Sequence, residues 1–107
     1  MVLHDIRWSG AEKKIARAAF DAALDTALAK IMAEFKRQAS AATAPSDMWE
    51  VGEYLRRQRR EIDEIFDYRY SQLVLVFARL IREGWLDEGR LAGLGEEKLT
   101  IIRSILR

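Results

Sequence analysis

A chain of 107 residues fits one domain. Its 18 basic and 17 acidic side chains leave a formal net charge of +1, which removes the electrostatic case for a nucleic-acid binder or an anionic-membrane binder. There is no cysteine, so disulfides, thiol catalysis and thiolate metal sites are excluded, and the only histidine is His4.

The longest strongly apolar run, Leu73 to Ala78, is far short of the ~20 residues of a spanning helix. The first residues lack a basic segment followed by an apolar one. The protein is therefore read as cytoplasmic. Pro45 is the only proline, and four of the six glycines follow residue 83. Two stretches, about 9–40 and 47–83, are nearly free of breakers and rich in Ala, Leu, Glu, Arg and Lys. The expected fold is all-α.

Helix one opens at Ser9-Gly10-Ala11-Glu12, a capping-box pattern, with Trp8 placed to pack down on the first turns. Phe20, Leu24, Leu28, Ile31 and Phe35 then recur at steps of three and four, making an apolar stripe. Alanines fill much of the remainder. They serve helix propensity or close helix approach, and the sequence does not choose between the two. Ala44-Pro45 ends this helix, because proline cannot continue it and disfavours α geometry in the residue before. Ser46 or Asp47 is the expected cap of helix two. So short a link makes the two helices antiparallel neighbours.

Helix two is expected to run through to Glu83. Its middle, Arg56 to Glu64, has only Ile62 as an apolar residue, with opposite charges at Glu53/Arg57, Arg57/Glu61, Arg59/Asp63 and Arg60/Glu64. Arg59 shares a heptad line with Phe66, Leu73 and Leu80, so it is expected to face a helix rather than water. From Ile65 the helix turns apolar nearly all round, which calls for burial on several sides. Gly84 suits a helix end, Asp87 can cap a short helix to about Ala92, and Glu96 to Leu106 reads as a last helix. These short elements fold back as a head.

The division expected is one domain, with a hairpin stalk over 1–64 and a compact head over 65–107. A hairpin of helices some 36 residues long spans roughly 54 Å, and two helices bury only one stripe each. Half of a four-helix bundle resolves this, with a second copy supplying the other half. A homodimer is expected. Catalysis is not: neither long helix carries a histidine for a carboxylate metal site, and there is no phosphate-binding loop or nucleophile elbow. Trp8, Trp49 and Trp85 sit at helix ends, where they serve as core plugs or as interface anchors.

An ordered set of residues runs nearly end to end. It comprises Trp8-Ser9-x-Ala11-Glu12, Gln38-Ala39-Ser40 with Thr43, and Asp47-x-Trp49. It continues with Leu55, Arg59, Glu61-Ile62-Asp63, Asp67-x-Arg69-x-Ser71, Val76-Phe77-Ala78 and Glu83-Gly84. With this set the chain resembles the fluorescence recovery proteins, small helical dimers of cyanobacteria. The resemblance implies a regulator that binds the photoactivated orange carotenoid protein and speeds its return to the inactive orange form. It implies no cofactor, no metal and no covalent change. It also implies a dimer-interface and partner-binding surface at Trp49 and Arg59, which match family positions. An adjacent His-Asp pair of the family falls on Gly52 and Glu53. A head aromatic aligns with Leu75, beside Phe77, and a basic position with Ile101, leaving Lys98 and Arg103 as the nearest substitutes. These departures set beside the carotenoid-protein regulator a second possibility, a dimeric helical interaction protein with another partner.

Overall fold

A computed structural model describes residues 6–107; His4 lies outside them. Among these residues the regular structure is helical: α1 (Gly10–Ala41), α2 (Pro45–Ile65), α3 (Leu73–Arg82), a 3-10 turn (Glu88–Leu91) and α4 (Glu96–Leu106). The molecule is 53 Å long and 26 by 23 Å across, and its radius of gyration is 16.8 Å. A compact chain of this length would have about 13 Å. The excess is the hairpin of α1 and α2.

The expected capping box forms. The Ser9 hydroxyl accepts from the Glu12 N–H at 3.1 Å, and the Glu12 carboxylate accepts from the Ser9 N–H at 3.0 Å. The start of α2 differs from expectation. Pro45 is the first helical residue, where its missing N–H costs nothing. Asp47 acts from inside the first turn rather than before it. Its Oδ2 accepts from the Thr43 N–H at 2.9 Å and the Ala44 N–H at 3.0 Å, and these bonds hold its carboxyl below the ordinary range.

The single long second helix does not exist. It stops at Ile65, and residues 66–72 cross over before α3 begins. The cause is aromatic spacing. Phe66, Tyr68 and Tyr70 alternate with polar residues, a period-two pattern. On a helix, side chains two apart point about 200° away from each other. Off the helix, Phe66 and Tyr68 both meet the Phe20 ring edge-on, at 5.3 and 4.9 Å between centroids. Phe66 also stacks on Trp85 at 6.0 Å, and Tyr70 leans on Trp8 at 5.8 Å. The heptad line from Arg59 through Leu80 is therefore not one face.

α3 is the centre of the core. Leu73, Val74, Phe77 and Leu80 are buried, joined by Leu91 and Ile102 from the elements that follow. The chain turns back at Gly84 with φ +79, where the Trp85 N–H bonds to the Leu80 carbonyl at 3.0 Å. At Gly93 (φ +101) a Cβ would stand 2.7 Å from Ile15 Cδ1, so α1 and the turn meet through a hydrogen. The first half of α1 completes this core. Ala16, Ala19 and Ala23 are buried in it beside Phe20, and for these alanines close approach is the reason.

Candidate functional site

Past Ala27 the picture changes. From Leu28 to Glu64 no residue is fully buried. Of the expected apolar stripe only Phe20 is in the core; Leu24, Ile31 and Phe35 are half-buried and Leu28 is exposed. Met32, Met48 and Trp49 are 53%, 58% and 70% exposed, and Leu55 also faces solvent. These are large apolar side chains on one rod that the protomer leaves uncovered.

Their spacing is ordered. On α2, Met48, Gly52, Leu55, Arg59 and Ile62 follow one another at steps of four and three. On α1, Leu24, Leu28, Ile31 and Phe35 do the same. This is the spacing that bundle-forming helices use. An apolar groove of about 300 Å³ lies between the two seams, walled by Leu28, Ile31, Leu55, Gln58, Arg59 and Ile62. Arg59 thus borders the groove, and among the described residues it has no ion-pair partner. The four expected i,i+4 pairs on α2 are not formed; the pair present there is Arg56–Glu53 at 2.8 Å, three residues apart. A second groove of about 730 Å³, at the hairpin tip, is bordered by Arg37, Trp49, Glu53, Tyr54 and Arg57. Burial, then Glu34 and Glu61, push the Tyr54 hydroxyl pKa up. The structure thus brings Trp49 and Glu53 together at the hairpin tip and sets Arg59 apart, at the other groove, with Gly52 on α2 between them. Leu55, a member of the ordered set, lies between Glu53 and Arg59; Met48, beside Trp49, was not singled out from sequence, although the four-three spacing carries the signal.

In the head the expected residues separate. Leu75 is 39% exposed, the one outward apolar residue in the first two turns of α3, and Arg103 is exposed and bonded to Glu88 at 2.7 Å. Phe77 is completely buried and presents no surface. Lys98, at 6% exposure, is buried as well. Its ammonium donates to the Arg7 carbonyl at 2.6 Å and pairs with Glu12 at 3.0 Å, 5.0 Å from the centre of the Trp8 ring. Glu12 therefore has a second task that the capping motif does not announce. It accepts from the Ser9 and Gly95 N–H groups and faces Lys98, which tie the start of α1 to the start of α4. The Ser9 bond leads in holding its carboxyl at about 2, with the Gly95 N–H and Lys98 adding to it against burial. Ile101, at the family's basic position, packs on the core.

Residues 8–106 match the family described as photoprotection regulator fluorescence recovery protein. The chain belongs to this family. The fluorescence recovery protein of Synechocystis sp. (strain ATCC 27184 / PCC 6803 / Kazusa) is 35% identical over 100 residues, which span 94% of this chain and 92% of that protein. The structure of the Fremyella diplosiphon fluorescence recovery protein is similar at a TM-score of 0.88 and 38% identity, covering 92% of this chain and 97% of the other. The Synechocystis structure gives a TM-score of 0.88 at 34% identity with the same coverage. The fluorescence recovery fold, with its hairpin and folded-back head, thus spans the described chain. Among the described residues no helix is long and apolar enough to cross a membrane.

Proposed function

We propose that this protein acts as a cytoplasmic homodimer that binds a photoactivated orange carotenoid protein and accelerates its return to the inactive orange state, without a cofactor or a covalent step. The observation that carries this reading is the match to fluorescence recovery proteins over nearly the whole chain, on a protomer whose stalk leaves its apolar seams open. The chain forms one unit, in which residues 65–107 and the first half of α1 make the head and the remainder of the hairpin makes the stalk. Paired stalks hold the two heads at a fixed separation. A rigid dimer of this kind speeds a domain rearrangement by binding its intermediate arrangement better than either end state.

Trp49, Gly52, Glu53 and Arg59 belong to the dimer and partner surface of the stalk. In the head, Leu75 and Arg103 meet the partner directly. Phe77 supports Leu75 from beneath α3, and Lys98 fixes the placement of α4. Gly52 and Leu75 replace an imidazole and an aromatic ring of the family pattern. Two lost contacts of about 1 kcal/mol each weaken binding some tenfold to a hundredfold. The activity is therefore expected at higher protein concentration than for other family members.

The test is the dark decay of the red form of a cyanobacterial orange carotenoid protein after blue light, followed by absorbance with increasing amounts of this protein. The expected result is a decay that quickens with dose. No acceleration at large molar excess, from a sample shown to be folded and dimeric, supports the second reading instead: a helical interaction protein with a different partner. The replaced residues at 52 and 75 are the observation in its favour.

A further inference from the structure

The crossover 66–72 leaves the helix without a glycine or proline to force it out. Phe66 and Tyr68 are held against Phe20, and the last stretch before α3 is held differently. The Trp8 indole N–H donates to the Tyr70 carbonyl at 3.2 Å. Among the described residues no other side chain bonds to the backbone of the crossover. In a helix run through from α2, that carbonyl would accept the Val74 N–H instead. Beside it the chain turns, with the Gln72 and Leu73 N–H groups bonded to the Arg69 carbonyl at 2.8 and 3.0 Å, and α3 begins. Trp8 is itself seated from the other side. The buried Lys98 ammonium lies 5.0 Å from the centre of its ring and donates to the Arg7 carbonyl, one residue back, at 2.6 Å. Glu12, the ion-pair partner of Lys98, accepts from the Ser9 N–H, one residue on, at 3.0 Å. One buried ion pair thus grips the backbone on both sides of Trp8.

We infer that Arg7, Trp8 and Ser9 form a strap from α4 to the crossover, and that Trp8 is a positioning residue: by holding Tyr70 it fixes where α3 starts, and so keeps Leu75 on the outside of the head. A helix turns its side chains by about 100° per residue, so a start shifted by one residue would carry Leu75 off the outer face. The strap connects the Glu12–Lys98 pair to a surface that the pair does not touch. The part Leu75 plays with a partner rests on the proposed function above; the strap itself does not.

A mere core plug lowers the stability of the whole fold, whereas a strap acts first on the segment it holds. Amide hydrogen exchange of the full chain, followed residue by residue by NMR well below the melting temperature, separates the two. Trp8→Phe keeps a ring without its donor, and Trp8→Ala removes both. Exchange at Gln72 and Leu73, relative to Leu80 in the core of α3, should quicken about tenfold in Trp8→Phe and about a hundredfold in Trp8→Ala. Lys98→Met, which keeps an apolar stem without the ammonium, should raise the same ratio without touching Trp8. An unchanged ratio in Trp8→Phe, with all amides quickened alike or none, overturns the strap, and this variant decides the matter even where Trp8→Ala does not fold. In the dark-decay assay Trp8→Phe should need about tenfold more protein than wild type. Equal potency with a raised exchange ratio overturns the link to Leu75. A wild type inactive in that assay overturns the proposed partner and leaves the exchange result standing.

Discussion

The head and the stalk of this protein solve burial in opposite ways. The head gathers α3, α4, the 3-10 turn and the first half of α1 around Phe77, Leu73 and Leu80, and closes with Glu12 and Lys98 locked together at its edge. The stalk puts the rest of α1 and nearly all of α2 in line and fully buries no residue between Leu28 and Glu64. One region is finished within the protomer. The other leaves its apolar side chains uncovered. Residue type alone does not separate them, because Leu and Ile occur in both. What differs is how many neighbours each apolar side chain finds within its own chain.

The largest expected effect breaks the head. Phe77→Ala removes a fully buried ring and should cost about 3–5 kcal/mol, read as a lower urea midpoint. Leu28→Ala in the stalk should change the stability of the monomer by less than about 1 kcal/mol, since its side chain is 47% exposed there. Equal losses at the two sites would erase the contrast. Next comes the latch. Lys98→Ala leaves the Glu12 carboxylate without its cation in a largely buried place, and should destabilise the head by about 3 kcal/mol in the same titration.

The stalk responds in association rather than in folding. Trp49→Ala removes a large exposed anchor, and should weaken the dimer by about 2 kcal/mol, some thirtyfold in dissociation constant, with the monomer melt unmoved. A changed monomer melt with unchanged affinity would make Trp49 a plug of the hairpin tip.

Acid sensitivity belongs to the same latch. The Glu12 carboxyl has an ordinary value of 4.5 and sits at about 2 in the folded head. A lowered folded value means that the carboxylate stabilises the fold fully above pH 4.5, and that this contribution is lost as pH falls toward 2. Unfolding followed between pH 5 and 2 should show this slope, and Glu12→Gln should flatten it. Glu34 on the stalk is also lowered to about 2, by its Arg37 partner first, but it lies in water where salt screens the pair. Glu34→Gln should leave the slope nearly unchanged in 0.15 M salt.

How much of this was legible in the sequence follows from the range of the interactions involved. The Ser9–Glu12 box, the helix end at Gly84, the Asp87 cap and the last helix are local patterns, and each forms where the residues place it. The break at 66–72 was not read, because no glycine or proline marks it. Tertiary contact with Phe20 overrides helix propensity there, and the one local sign is the alternation of Phe66, Tyr68 and Tyr70. The resemblance gives Lys98 as a substitute for a basic partner-binding residue, a role that needs an exposed ammonium, whereas it is buried. Its burial depends on Glu12, 86 residues away, which no spacing rule connects to it. The charged middle of α2 promised i,i+4 pairs, whereas the long side chains on an exposed face settle on Arg56–Glu53 alone. On the stalk, Trp49 and Arg59 were read from the resemblance. Met48 required seeing which apolar side chains the protomer leaves uncovered.

The central claim, that the stalk is completed by a second copy while the head is not, is tested most directly by mass in solution. Sedimentation equilibrium of the full chain at micromolar concentration should return twice the 12.4 kDa of one chain, and a Leu55→Glu variant should return 12.4 kDa while keeping its helical spectrum. A wild-type particle of 12.4 kDa at that concentration would contradict the account.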